Sequence, residues 1–257
     1  MVQLADISWK DAGDIFEETD VAILPVGSTE QHGPHNPLGT DYLVAAATSK
    51  AVGERTGVPV LPVIPVGVSE HHRQFPGSLW VPPNVFRAYV KAAILSAVSH
   101  GPRKILIVNG HGGNTASLME VAGELRRGHG VFAAVASAFP PALVGTPHAG
   151  EGETSINLYF HGHLVKMDRA VDTKQNESLG PLEIQGFNSI GPAQFAWDTI
   201  DLTETGVLGD AGMTVVSTSA SAEKGRELME PYIDEVCQLV EELKKAEIEE
   251  LLCRPHK

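Results

Sequence analysis

Three short apolar runs constrain this chain more than anything else in it. They are VAILPVG at 21–27, KILIVNG at 104–110 and GVFAAVASAF at 130–139, and each ends in a glycine- or proline-rich polar loop that leads to a helical pattern. Runs this short, apolar throughout and rich in β-branched residues, read as strands buried on both faces. Strand, loop and helix in repeated alternation imply an α/β fold, a mainly parallel sheet flanked by helices. In such sheets ligands bind beyond the carboxyl ends of the strands. The chemically distinctive residues of this chain cluster just after those ends.

The periodicity predicts helices over 8–17 with Ser8 as N-cap, 41–57, 84–100 capped by Asn84, 115–128, 153–162 and 219–252, the last with a break. The proline-bearing run VPVLPVIPVG at 58–67 reads as two short extended pieces or an edge. Residues 166–212, rich in Gly, Pro and Asp, read as irregular. With 257 residues and no linker or repeat, the chain is expected to form one domain over 1–257.

Composition narrows the function. A net charge of −13 disfavours a broad nucleic-acid footprint. The two cysteines, Cys237 and Cys253, form no disulfide framework or metal motif, which fits a reducing compartment. The N-terminal stretch has no signal-like pattern and no run of about 18 apolar residues occurs. The expectation is a cytoplasmic protein that works neither on membranes nor on nucleic acids.

Four constellations carry candidate chemistry. In the loop after the first strand, Glu30 and His32 point alike in extended chain, and Asp41 opens the next helix. Two carboxylates and an imidazole suit Zn, Mn or Fe(II); a solvated loop with a capping Asp is the plain alternative. Asn109-Gly110-His111-Gly112-Gly113-Asn114 follows the central strand. It reads as a phosphate cradle, a fixed His ligand or a simple Gly turn; it lacks the P-loop Lys and fails G-x-G-x-x-G. In His148-Ala149-Gly150-Glu151-Gly152-Glu153-Thr154-Ser155, Glu151 and Glu153 offer a ligand, a general base or merely a helix start. Glu70-His71-His72-Arg73 reads as a substrate loop, because adjacent histidines diverge in extended chain. His161 and His163 read as surface residues, and His35 is open to either reading. Without a G-x-S-x-G elbow or a loop cysteine, covalent catalysis is disfavoured.

Taken in order, LPVGSTEQHGPHNPLGTD (24–41), SEHHRQFPGS (69–78), NGHGGN (109–114), HAGEGETS (148–155), GVLGDAG (206–212) and SAEKGRELME (221–230) resemble the creatininase (creatinine amidohydrolase) family across most of the chain. The resemblance implies a creatininase-like α/β fold, a metal-dependent amidohydrolase acting on C–N bonds, and one or two divalent ions (Zn, Fe(II) or Mn). It implies ligands Glu30, His32, Asp41 and His111, with Asp41 as the bridge, and proton transfer by His148. Creatininase has a ligand Glu two residues after the His of this loop, where this chain has Gly113; Glu153 is the implied replacement, with Glu151 the more mobile proton carrier. Creatininase also has tryptophans near its flap, absent from FPPALVGTP (139–147), with Trp9, Trp80 and Trp197 elsewhere. This directs expectation away from creatinine and toward two other branches. One is the archaeal formamidopyrimidine ribonucleotide deformylase of flavin and deazaflavin biosynthesis, slightly favoured; the other is the mycofactocin precursor peptidase. Family members commonly form hexamers, so a homo-oligomer is expected. The rivals are a nucleotide-dependent enzyme and a non-enzymatic metal-binding assembly protein on the same fold.

Overall fold

A computed structural model describes residues 3–143 and 147–252. The three apolar runs form β1 (Val21–Val26), β2 (Lys104–Asn109) and β3 (Phe132–Ser137) of one parallel sheet in the order β1-β2-β3. Val21 pairs with Lys104 and Val26 with Asn109; Lys104 pairs with Phe132 and Asn109 with Ser137. All three strands therefore end level, at one edge.

Alternation along the strands divides the core in two. Val21 and Ile23 of β1 and Leu106 and Val108 of β2 face one side. They meet Val44 and Val52 of α2 (Thr40–Thr56), Ile156 of α5 (Glu151–His161) and Ile233, Val236 and Val240 of α7 (Ala222–Lys245). Ala22, Leu24, Ile105 and Ile107 face the other side. There they pack on Phe86, Val90 and Ile94 of α3 (Pro83–Val98) and on Leu118, Val121 and Leu125 of α4 (Thr115–Gly128). Both sheet faces are covered, which is why the strands read as unbroken apolar runs rather than alternating ones.

The elements follow the sequence reading closely. Ser8 caps α1 (Trp9–Glu18) in a capping box with Asp11. Gly57 closes α2 in the left-handed conformation, φ 74°. The differences have local causes. Helix α3 begins one residue before Asn84, with Pro82 at the cap and Pro83 in the first turn, where a missing N–H costs nothing. Helix α5 begins at Glu151 rather than 153. The long C-terminal helix stops at Lys245, and α8 (Ile248–Leu251) follows it. The 58–67 run forms isolated bridges, Val60 to Ile23 and Ile64 to Val26, as its prolines require. Within 166–212 there are a 3₁₀ turn at Met167–Arg169, two-residue ladders and the four-residue α6 (Thr199–Leu202). Cys237 lies half-buried on α7 as a free thiol, whereas Cys253 and residues 144–146 lie outside the described residues.

Candidate metal centre

Two glycines let α2 deliver its first turn to the strand ends. A Cβ on Gly27, just after β1, would lie 2.3 Å from the Tyr42 nitrogen; one on Gly110, just after β2, would lie 2.1 Å from the Asp41 carbonyl oxygen. Only backbone without side chains permits this approach. It sets Asp41 against Glu30 and His32 from the first loop and His111 from the second. All four residues are buried.

Their atoms converge. His111 Nδ1 lies 3.1 Å from Glu30 Oε2 and 3.3 Å from Asp41 Oδ2. His32 Nε2 lies 3.0 Å from Asp41 Oδ1 and 3.9 Å from Glu153 Oε2. Two sets of three donors lie within 4.8 Å of one another: Glu30, Asp41 and His111, and Glu30, His32 and His148. The far nitrogens of these imidazoles are occupied by backbone carbonyls. His111 Nε2 donates to Val68 O at 2.9 Å, His32 Nδ1 to Glu30 O at 3.2 Å and His148 Nε2 to Gln31 O at 2.7 Å. A carbonyl only accepts, so each neutral ring turns a lone pair toward the carboxylates. Glu30 Oε1 and Oε2, His32 Nε2 and Asp41 Oδ2 are buried without a hydrogen-bond partner. Lone pairs facing carboxylates across about 3 Å need a cation between them, and outward N–H groups fixed by carbonyls are the usual support for metal-binding histidines.

The electrostatics agree. Burial opposes charge on His32, yet the adjacent Asp41 carboxylate prevails and holds its pKa up at about 9. His111 is likewise raised well above its ordinary value, against its burial, by Glu30 and Asp41. Without an ion, protons supply the positive charge this cluster requires. Burial together with His32 and His72 pushes His148 well below the usual imidazole range, so it is neutral. Burial raises the Glu153 carboxyl to about 7.

Glu153 and Glu151 separate cleanly. Glu153 Oε2 accepts the Ala149 N–H at 2.6 Å and stands 4.0 Å from His148 Nδ1. Ala149 holds a left-handed φ of 55° to aim that N–H. Glu151 points away, paired with Lys224 and accepting the Ser219 hydroxyl at 2.7 Å. The structure thus does not bring Glu151 to the cluster, because the first turn of α5 sends residues two apart to different faces.

The sequence reading missed His72 as part of this cluster. Residues 70–72 form a 3₁₀ turn rather than extended chain, so His71 and His72 do not diverge. His72 is buried with Nε2 3.2 Å from Glu30 Oε1, and His71 stacks on His111 and meets Trp197 at a tilt. His35 is buried and bonds Thr154 Oγ1 at 2.8 Å, with its pKa lowered to about 4 by burial. His161 is half-buried against Leu43 O, and His163 is exposed.

A cleft of about 810 Å³ opens onto Glu30, His111, His148 and Glu153. Phe139, Leu143, Phe187, Phe195 and Trp197 also line it. The described lining includes no Lys or Arg.

The creatininase family, described as creatinine amidohydrolase, matches residues 5–240. The chain belongs to the creatininase family. A mycofactocin precursor peptide peptidase of Mycobacterium tuberculosis is 32% identical over 228 residues, covering 85% of this chain and 83% of the relative. A 2-amino-5-formylamino-6-ribosylaminopyrimidin-4(3H)-one 5'-monophosphate deformylase of Methanothermobacter thermautotrophicus is 32% identical over 168 residues, 58% of this chain and 63% of the relative. Among solved structures, one described as a manganese creatininase superposes with TM-score 0.77 at 27% identity, over 95% of this chain and 99% of that one. As a creatininase-family hydrolase, this chain differs from the creatininase pattern at two places. A Cβ on Gly113 would lie 2.4 Å from His111 Nε2 and 2.5 Å from Val68 O, so no side chain fits there without displacing His111. And Trp197 reaches the cleft, from the irregular segment rather than from the flap stretch 139–147, which has no tryptophan.

Proposed function

We propose that this amidohydrolase cleaves an amide bond in a short peptide or peptide-like substrate with an apolar or aromatic group beside the scissile bond. The cleft carries this reading: its lining is rich in aromatic side chains, and its described lining has no Lys or Arg to meet a phosphate. The balance between the two branches therefore moves from the phosphate-bearing formamide to the peptide. The more extensive match to the peptidase points the same way.

Glu30, Asp41 and His111 hold one divalent ion in this reading, and His32, with Glu153 or His148, completes a second position. Mixed imidazole and carboxylate donors suit Zn, Mn or Fe(II). The ion, when bound, supplies Lewis acidity to an amide carbonyl and to water. The chain's own groups do the rest. Glu153, with a pKa of about 7, takes a proton from the attacking water and returns it to the leaving nitrogen. The Ala149 N–H keeps Glu153 Oε2 in place while it does so. His148 spends its one N–H on the Gln31 carbonyl, so the neutral ring faces the cleft as a hydrogen-bond acceptor rather than as an oxyanion donor. The aromatic side chains of the cleft bind the substrate side chain and exclude water. The family resemblance extends the reading to one catalytic unit over 1–257, working in the cytoplasm as a homo-oligomer.

A panel of short peptides with aromatic or aliphatic C-terminal residues, N-formyl aminopyrimidine nucleotides and creatinine, read by mass spectrometry with Zn²⁺, Mn²⁺ or Fe²⁺ added, tests this. Peptide cleavage should be fastest. Faster formate release or creatinine turnover would contradict the substrate, and hydrolysis of none with any metal would favour the assembly-protein alternative.

A further inference from the structure

We infer that Ser217 is a positioning residue, which acts through the backbone of Ala149 to hold the Glu153 carboxylate at the cluster. The inference rests on the reading of Glu153 as the proton carrier and adds a residue which that reading does not use.

Glu153 depends on a strained turn. Its Oε2 accepts the Ala149 N–H at 2.6 Å, and Ala149, with φ 55°, is the one residue other than glycine with positive φ among the described residues. An L residue keeps this conformation only where its surroundings hold it. Both peptide groups of Ala149 are held. The one before it is fixed at its oxygen, because the Leu208 N–H donates to His148 O at 3.0 Å. The one after it is fixed by Ser217, whose hydroxyl donates to Ala149 O at 2.8 Å. The direction of that bond is unambiguous, since a carbonyl only accepts. Thr154 Oγ1 also lies 3.3 Å from Ala149 O, but it is shared with His35 Nε2 at 2.8 Å and Asn36 Nδ2 at 2.9 Å. Ser217 makes the shorter bond.

The consequence for Glu153 is geometric. The N–H that holds its carboxylate precedes the Ala149 Cα. Helix α5, which carries Glu153, starts directly after it, with Gly150 at the N-cap and the Thr154 N–H donating to Gly150 O at 3.0 Å. The peptide that Ser217 grips joins the two. If that peptide rotates to relieve Ala149, the N–H and the carboxylate part. Glu153 Oε2 stands 3.9 Å from His32 Nε2 and 4.0 Å from His148 Nδ1, so the shift would carry it off the cluster. Ser217 is itself anchored. It is fully buried, and its N–H donates to Asp172 Oδ1 at 2.8 Å, while the Thr218 N–H and hydroxyl donate to the same carboxylate at 3.1 and 3.0 Å. Val215, two residues earlier, packs with Ala149 and Val207. Ser217 is not among the described residues that line the cleft, so its route to the chemistry is through Ala149.

Amide exchange of the metal-free protein, followed by mass spectrometry, tests this without substrate or metal. Cleavage of a short peptide with a C-terminal phenylalanine, with Zn²⁺ added, tests it in turnover. In Ser217→Ala, residues 148–153 should exchange about tenfold faster while α7 exchanges as in wild type. The same variant should lose about 10–100-fold in kcat with KM within about twofold of wild type. Glycine adopts a φ of 55° freely, so in an Ala149→Gly background Ser217→Ala should cost less than about threefold in kcat. Unchanged exchange over 148–153 in Ser217→Ala would overturn the inference. So would equal kcat losses in the two backgrounds, or faster exchange spread over α7 and the sheet alike. If Ser217→Ala fails to fold, the exposed Asp172→Ala decides: a local rise in exchange over 148–153 supports the inference, and wild-type exchange there overturns it. Wild-type protein that cleaves no such peptide would overturn the substrate reading, while the exchange measurement still decides this inference.

Discussion

At the scale of single residues, the site is a set of buried carboxylates whose charge must be balanced. Asp41 touches both His32 and His111, so its loss should be felt most. Asp41→Ala and His111→Ala should each lose most bound metal by elemental analysis, and full metal content in both would remove them as ligands. The pH dependence has a definite sign. His32 in the metal-free protein is protonated up to about pH 9, and a metal takes only the neutral ring, so binding releases that proton. Affinity should rise by about tenfold per pH unit for each proton released between pH 7 and 9 and level off above. Calorimetry in buffers of different ionisation enthalpy counts the protons, and zero release at pH 7 would contradict the assignment. The two glutamates of α5 should part company. Glu153→Gln removes the group held near pH 7 and should lower turnover by about 10²–10⁴-fold. Glu151→Gln breaks a surface pair with Lys224 and should leave turnover within about twofold. Comparable losses in both variants would reverse this assignment.

At the scale of elements, how α2 meets the strand ends decides whether a site exists. Gly110→Ala would force a methyl into the Asp41 carbonyl. It should lower metal affinity although residue 110 supplies no ligand atom, and wild-type affinity in that variant would show that α2 can retreat without cost. The 187–197 segment is the second decisive element. Trp197→Ala should raise KM for a substrate with an aromatic side chain by about tenfold, the equivalent of about 1.4 kcal/mol, while changing KM for a glycyl analogue little. These two elements also mark the boundary of what the sequence discloses. Glu30, His32, Asp41 and His111 were legible because each follows or opens an element whose period is plain. His72 was not, because extended chain was assumed where a 3₁₀ turn forms, and nothing in SEHHRQF distinguishes the two. Trp197 belongs to a stretch without periodicity, placed by contact with His71, more than 100 positions earlier. Only tertiary structure reveals it.

For the molecule as a whole, the parallel sheet with covered faces was legible from three apolar runs, and the level strand ends follow from their pairing register. One long-range tie was not legible. Lys104, the first residue of β2, is buried, and its ammonium donates to Leu243 O at 2.8 Å and Ala246 O at 2.6 Å and pairs with Asp20 at 2.9 Å. It caps the C-terminus of α7 and fastens that helix to the sheet, and a lysine inside an apolar run carries no signal of this use. Lys104→Met should destabilise the protein by about 2–4 kcal/mol through the carbonyls left unpaired, read as a fall in denaturation midpoint without loss of metal affinity; an unchanged midpoint would mean water replaces the ammonium freely. The central claim, that the buried Glu30, Asp41 and His111 jointly hold a divalent ion beside the cleft, is tested most directly by anomalous diffraction from crystals grown with Zn²⁺. The account predicts a peak at about 2.0–2.2 Å from a carboxylate oxygen of Glu30, one of Asp41 and His111 Nδ1. Density for zinc only at surface carboxylates, with those three residues in contact with one another and no peak between them, would contradict it.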